Sequence, residues 1–168
     1  NIEDISEGYI EAGDILTTPT EILVGLSSRT NAEGARQVSE VLRAMAVETI
    51  IVDMPYGTMH LMGMFRTVDR DLSIAWPRRT PHRLVEALIE RGSQVAFLPQ
   101  VNDQEMNQAL NFVTLGPRKI LMKRGDARFT SYFESHGVEC VALEADELVK
   151  AAGGFGCLTG VLHRDMKS

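Results

Sequence analysis

The 168-residue chain is 44% hydrophobic and 24% charged, with a formal net charge of -6. An acidic balance of this kind argues against a general nucleic-acid-binding surface, which would be basic. No apolar run approaches the roughly 20 residues needed to span a bilayer. Two cysteines are too few for a disulfide framework and fit a reducing, cytoplasmic setting in which a thiol stays free. The start, NIEDISEGY, is acidic and polar and does not read as a signal peptide.

In chain order, the first elements are a strand-like GDILTT from Gly13, a turn at Pro19-Thr20 and a strand ILVGL over 22–26. The polar turn SSRTN follows, then a helix from Ala32 to Met45 and the strand ETIIVD. The layout then recurs. GMFRTVD from Gly63, a turn at Arg70-Asp71, LSIAW over 72–76, a helix from Pro81 to Arg91, Gly92 and QVAFLP form a second copy. LNFVTLG from Leu110, a turn at Pro117-Arg118, ILMKR, a helix from Ala127 to His136, Gly137 and ECVAL form a third. Each copy reads strand, tight turn, strand, helix, strand. The helices carry apolar residues three and four apart, as in Leu84, Val85, Leu88 and Ile89. Pro81 suits a first helical turn. Gly92 and Gly137 suit the left-handed position after a helix. The middle strands begin at Ile22, Leu72 and Ile120, a spacing of 50 and then 48 residues. The fold class is therefore α/β, built of repeated units. One unit cannot bury its sheet alone, so neighbouring copies are expected to pack around a common axis with helices outside.

Candidate chemistry lies in the loops entering or leaving these units. IEAGD carries Glu11 and Asp14, PYGTMHLM carries His60, and AAGGFGC carries Cys157. Taken singly, His60 fits a packed or surface imidazole, Cys157 a small buried hydrophobe, and Glu11 a solvated acid. Together they suit covalent catalysis, with a thiolate nucleophile, an imidazole proton shuttle and a carboxylate that orients or anchors. A free thiol ordinarily titrates at about 8.5, so the nucleophile needs a positive neighbour. The glycines before Cys157 are expected to give the backbone room to approach a substrate. Zinc is a poor alternative, because CxxC and HxxxH spacings do not occur and His82, His136 and His163 lie in helix-like or terminal stretches. GGFG does not open a helix after a strand, which argues against a phosphate cradle.

EAGDI at 11–15, LVGLSSRTNAEGA at 23–35, MHLM at 59–62, LGPRKILM at 115–122 and GGFGCLTG at 153–160 together resemble the guanidine-modifying superfamily, the penteins. The likeness runs from about Glu11 to Arg164 and is closest to the dimethylarginine dimethylaminohydrolase branch. The resemblance implies a propeller of five strand–helix units, of which this chain supplies three as a single partial catalytic domain over 1–168. The two units that precede EAGD in the family have no counterpart here, nor does an upstream acidic residue that grips the guanidinium. The chain thus reads as the C-terminal part of a longer, cleaved or truncated protein. Its exposed edges would favour pairing with a missing N-terminal segment or with a second copy as a homodimer.

The resemblance also implies roles. Cys157 becomes the nucleophile, His60 the general acid and base, and Glu11 the carboxylate on the guanidinium. Arg29 becomes the ligand of a substrate carboxylate, and Asp14 a further substrate-binding acid or a residue that closes the turn. Neither a metal nor an organic cofactor is implied. The partner is a small guanidino amino acid, not nucleic acid or membrane. Deiminases and amidinotransferases of the superfamily usually carry an aspartate two residues after the histidine. Met62 stands there, as expected of an enzyme that accepts an alkylated guanidino nitrogen. The implied activity is hydrolysis of methylated arginine to citrulline and an amine. Amidino transfer, arginine deimination, a non-catalytic binding module and an inactive fragment remain the alternatives.

Overall fold

A computed structural model describes residues 7–162 except 19 and 152. The acidic start over 1–6, Pro19 of the first expected turn, Ala152, His163 and Arg164 lie outside the described residues.

All three expected units are present, each as a three-stranded sheet with its middle strand in the centre. The first contains β1 (Ile15–Thr17), β2 (Glu21–Leu26), α1 (Ala32–Ala44) and β3 (Glu48–Asp53). The second contains β4 (Phe65–Thr67), β5 (Leu72–Ala75), α2 (His82–Glu90) and β6 (Gln94–Phe97). Helix α3 (Asp103–Leu110) then leads into the third unit, which contains β7 (Val113–Gly116), β8 (Lys119–Lys123), α4 (Ala127–Ser135) and β9 (Glu139–Leu143). In every unit the first strand pairs antiparallel with the second, and the second pairs parallel with the third across the helix. A tight turn can reverse the chain, but a parallel return needs a crossover, and the helix is that crossover. The chain continues through α5 (Asp146–Lys150) and α6 (Phe155–Leu158).

The units are welded by two apolar clusters. Leu23, Val52, Leu61, Phe65, Ala75, Leu84 and Leu88 join the first unit to the second. A larger cluster, including Leu72, Ile74, Trp76, Met106, Phe112 and Phe133, joins the second to the third. Met54 packs against both. All four residues of β5 are buried, because the middle strand of the middle unit has packed neighbours on both faces.

One helix start, one whole helix and one helix stop differ from expectation. Pro81 is the N-cap of α2 rather than its first helical residue, in extended backbone at φ -59 and ψ 132. Helix α3 was not expected from the repeat. Its signal is present in the sequence, since the Asn102 side chain accepts the Glu105 amide as a cap, and Met106, Ala109 and Leu110 are buried on one face. Gly92 and Gly137 take the left-handed conformation after α2 and α4, with φ of 82 and 73. After α1 the same place is held by Ala46, with φ 60. An L-residue with a Cβ pays a steric penalty there. Ala46→Gly is expected to stabilise the protein by about 0.5–1 kcal/mol. Chemical denaturation measures this, and an unchanged or lowered midpoint would show that the site relaxes away the penalty.

Candidate active site

The residues singled out in the first loops converge on one junction. Two short 3-10 turns, Ala12–Asp14 and Leu61–Gly63, lie against each other ahead of β1 and β4. Glu11 caps the first turn and His60 caps the second. The close approach requires glycine at 13, because a Cβ there would lie 3.0 Å from Cγ of the His60 ring. The Nδ1 of His60 accepts the Gly63 amide at 3.2 Å, which fixes the ring's orientation and leaves its other nitrogen to act.

Asp14 is the hub of this junction. It is fully buried. Its Oδ2 accepts the hydroxyls of Ser27 and Thr30, each at 2.6 Å, and its Oδ1 accepts the Leu61 amide at 2.9 Å. A buried carboxylate needs such donors, and here they tie the first unit to the His60 turn. Thr30 in turn accepts the Glu11 amide at 3.0 Å. The SSRTN stretch therefore divides its work. Ser27 and Thr30 hold Asp14, Asn31 caps α1 by accepting the Gly34 amide, and Arg29 reaches Glu11.

The Arg29 guanidinium lies 3.0 Å from Oε1 of Glu11. The other carboxylate oxygen, Oε2, is buried and has no hydrogen-bond partner among the described residues. Glu11 thus holds a guanidinium on one oxygen, while the second has no protein donor among the described residues.

Cys157 belongs to a second junction. It lies in α6, a single helical turn that follows α5 rather than a strand, so the stretch expected as a loop is partly helical. The Asn111 side chain clamps it. Asn111 Nδ2 donates to the Cys157 sulfur at 3.1 Å, and the Cys157 amide donates to Asn111 Oδ1 at 3.2 Å. The room made by the glycines is filled by this amide. A Cβ on Gly154 would lie 2.6 Å from Asn111 Cγ, and one on Gly156 would lie 2.9 Å from Asn111 Oδ1.

Arg66 of β4 stands on the other side of the clamp, donating to the Phe112 carbonyl at 2.6 Å with its guanidinium 5.2 Å from the centre of the Phe112 ring. Burial pushes the Arg66 guanidinium down to about 10, and the Cys157 sulfur acts in the opposite direction. Cys140, the other thiol, is pushed up to about 11 by burial and by the charge of Glu134.

Glu11, Asp14, Arg29 and His60 are thus brought together, while Cys157 approaches from the far end of the chain. No direct hydrogen bond joins Cys157 to His60 or Glu11 among the described residues. Helix α3, which Asn111 terminates, touches the Leu61–Gly63 turn, and Arg66 follows His60 by one turn and half a strand. A cavity of about 370 Å³ opens beside the clamp, between α3 and Gly153-Gly154, with Gln108, Asn111 and Lys123 in its wall. Glu11, His60 and Cys157 are not among its lining residues.

Asn111 and Arg66 escaped sequence reasoning. The signal for Asn111 was positional. It stands at the entrance to the third unit, the place taken by Glu11 in the first and His60 in the second.

Among the described residues no group of three or more histidine, cysteine, aspartate or glutamate side chains is arranged to hold a metal ion. None of the described helices is long and apolar enough to cross a membrane.

Comparison with known proteins follows the same lines. The arginine deiminase family matches residues 1–96. Arginine deiminase of Mycoplasma capricolum is 25% identical over 196 residues, covering 96% of this chain and 49% of that protein. The structure of dimethylarginine dimethylaminohydrolase from Pseudomonas aeruginosa, complexed with citrulline, has a TM-score of 0.71 at 23% identity, covering 89% of this chain and 54% of that one. Inosamine-phosphate amidinotransferase from Streptomyces griseus has a TM-score of 0.78 at 18% identity, covering 95% and 48%. The chain spans about half the length of the curated relatives it matches. Three repeated β–β–α–β units, the fold shared with those structures and the family match over more than half of its residues together make this chain a member of the arginine deiminase family, within the guanidine-modifying superfamily.

Proposed function

We propose that the protein carrying this chain hydrolyses a guanidino amino acid, converting a methylated arginine to citrulline and an amine through a thiouronium on Cys157. Residues 1–168 act as one partial catalytic domain, with Cys157, His60 and Glu11 as the reacting constellation. The observation that carries the reading is the Arg29–Glu11 pair. The acid assigned to the substrate's guanidinium already holds one, that of Arg29, at 3.0 Å.

A substrate with a guanidinium at one end and a carboxylate at the other can exchange partners with this pair. Its guanidinium takes Glu11, and its carboxylate takes the Arg29 released. No charge is then left unpaired at either stage. Arg29→Ala is expected to raise KM for a guanidino amino acid by about 10- to 100-fold, the worth of a charge-assisted contact. A guanidine without the carboxylate should be far less affected. Equal losses on both substrates would assign Arg29 to structure alone.

The Cys157 thiolate attacks the guanidino carbon of the bound cation and forms a C–S bond. His60 gives a proton to the departing amine nitrogen as the C–N bond breaks, leaving the thiouronium. Water, losing a proton to His60, attacks the same carbon, and the sulfur leaves as thiolate with a ureido product. Asp14, with both oxygens occupied by protein donors, positions Glu11 and His60 rather than touching substrate.

Met62, in place of a second carboxylate, favours an alkylated nitrogen. Incubation with dimethylarginine, monomethylarginine and arginine, reading citrulline and the released amine, tests this. Citrulline from none of them removes the proposed activity. The second reading, arginine deimination, is favoured by the family match over residues 1–96. Much faster turnover of plain arginine would select it. A requirement for an added amine acceptor would select amidino transfer.

A further inference from the structure

Arg66 is out of place by ordinary electrostatics. Arg29, Arg36, Arg79, Arg91, Arg118, Arg124 and Arg128 each meet a carboxylate. Arg66 is part-buried and meets none among the described residues, and its contacts are a carbonyl and an aromatic face. An enclosed cation without an anion is costly. The Arg66 Nη1 lies against the residue before Cys157, since a Cβ on Gly156 would be 3.3 Å from it, and the Phe112 carbonyl that Arg66 holds follows Asn111, whose amide meets the Cys157 sulfur and backbone. Among the described residues, the lysines on the elements around Cys157 are already paired. Lys119 and Lys123 of β8 meet Glu139 and Asp146, and Lys150 of α5 meets Glu147.

We propose that Arg66 is a positioning residue for Cys157: it pins the Phe112 carbonyl, and with it the Asn111 clamp, and places the positive charge that a thiolate at 157 would pair with. The inference rests on Cys157 being the nucleophile, and it adds two residues to that site. Asn111 fixes where the sulfur points, through two bonds from one rigid amide. Arg66 brings a positive charge against Gly156, the residue before the cysteine. The amide comes from the end of α3 and the charge from β4.

The test reads the thiol itself, independent of any substrate. The intact chain is alkylated at pH 7 with neutral iodoacetamide and with anionic iodoacetate, and modification of Cys157 and Cys140 is resolved by peptide mass spectrometry. A cation at the sulfur accelerates the anionic reagent relative to the neutral one. The iodoacetate-to-iodoacetamide rate ratio at Cys157 is expected to exceed that of the urea-unfolded protein by at least about threefold. Arg66→Gln should abolish the excess, and Arg66→Lys should restore most of it. Asn111→Ala should slow both reagents without changing the ratio. Arg66→Met serves the same comparison if the glutamine variant does not fold. A native ratio equal to the unfolded one overturns the proposal without recourse to a variant, as does an unchanged ratio in folded Arg66→Gln. Failure to turn over any guanidino substrate would remove the proposed function and leave these ratios standing.

Discussion

Cys157→Ser is expected to lower turnover of a guanidino substrate by roughly 10⁴-fold or more while leaving substrate affinity within a few-fold of the parent. The physical reason is separable into bond and charge. Serine fits the Asn111 clamp, because its oxygen can accept from Nδ2 as the sulfur does and its backbone amide still donates to Oδ1. The hydroxyl does not ionise near neutral pH and is a poor leaving group from the tetrahedral adduct, so both halves of the reaction fail. On the proposed reading, binding is carried elsewhere, by Glu11 and Arg29, and is expected to survive. Turnover by rapid-quench assay and affinity by calorimetry measure the two halves. Parallel loss of affinity and turnover would make the thiol a packing group and remove the proposed mechanism.

Asp14→Ala is expected to destabilise the protein by roughly 3 kcal/mol or more. Three donors, the half-buried Ser27 hydroxyl, the buried Thr30 hydroxyl and the buried Leu61 amide, lose a charged acceptor in one change. They span the first unit and the entrance to the second, so the loss falls on the junction that sets Glu11 against His60. Asp14→Asn should cost less, because the amide keeps an acceptor oxygen but turns its nitrogen toward donors. A destabilisation under about 1 kcal/mol for the alanine variant would show that water or a shifted side chain satisfies the donors, and that the junction is held by packing.

Both expectations depend on residues whose place could be read to different depths in the chain. The repeat was legible because its cause is local. Apolar residues three and four apart make α2 and α4, Gly92 and Gly137 supply the left-handed stops, and short polar turns return each first strand on its second. The pairing within each sheet follows from that order, since a helix between two strands sets them parallel. Helix α3 was legible in principle through its Asn102 cap and was hidden by its place between copies of the repeat.

Three α/β units could be read from the chain alone, as could Glu11, Asp14, His60 and Cys157 as candidate chemistry, while Arg29 entered through the family resemblance. The chain alone could not say who meets whom, because contacts across units depend on how two sheets pack, which no local period encodes. Only the tertiary structure decided that Asp14 faces inward as a latch, that Arg29 rests on Glu11, and that the room left by glycine beside Cys157 is taken by Asn111. Arg66 makes the contrast sharpest. In the chain it is an ordinary strand arginine of FRT, and only the packing of the third unit brings the Phe112 carbonyl and ring against its guanidinium.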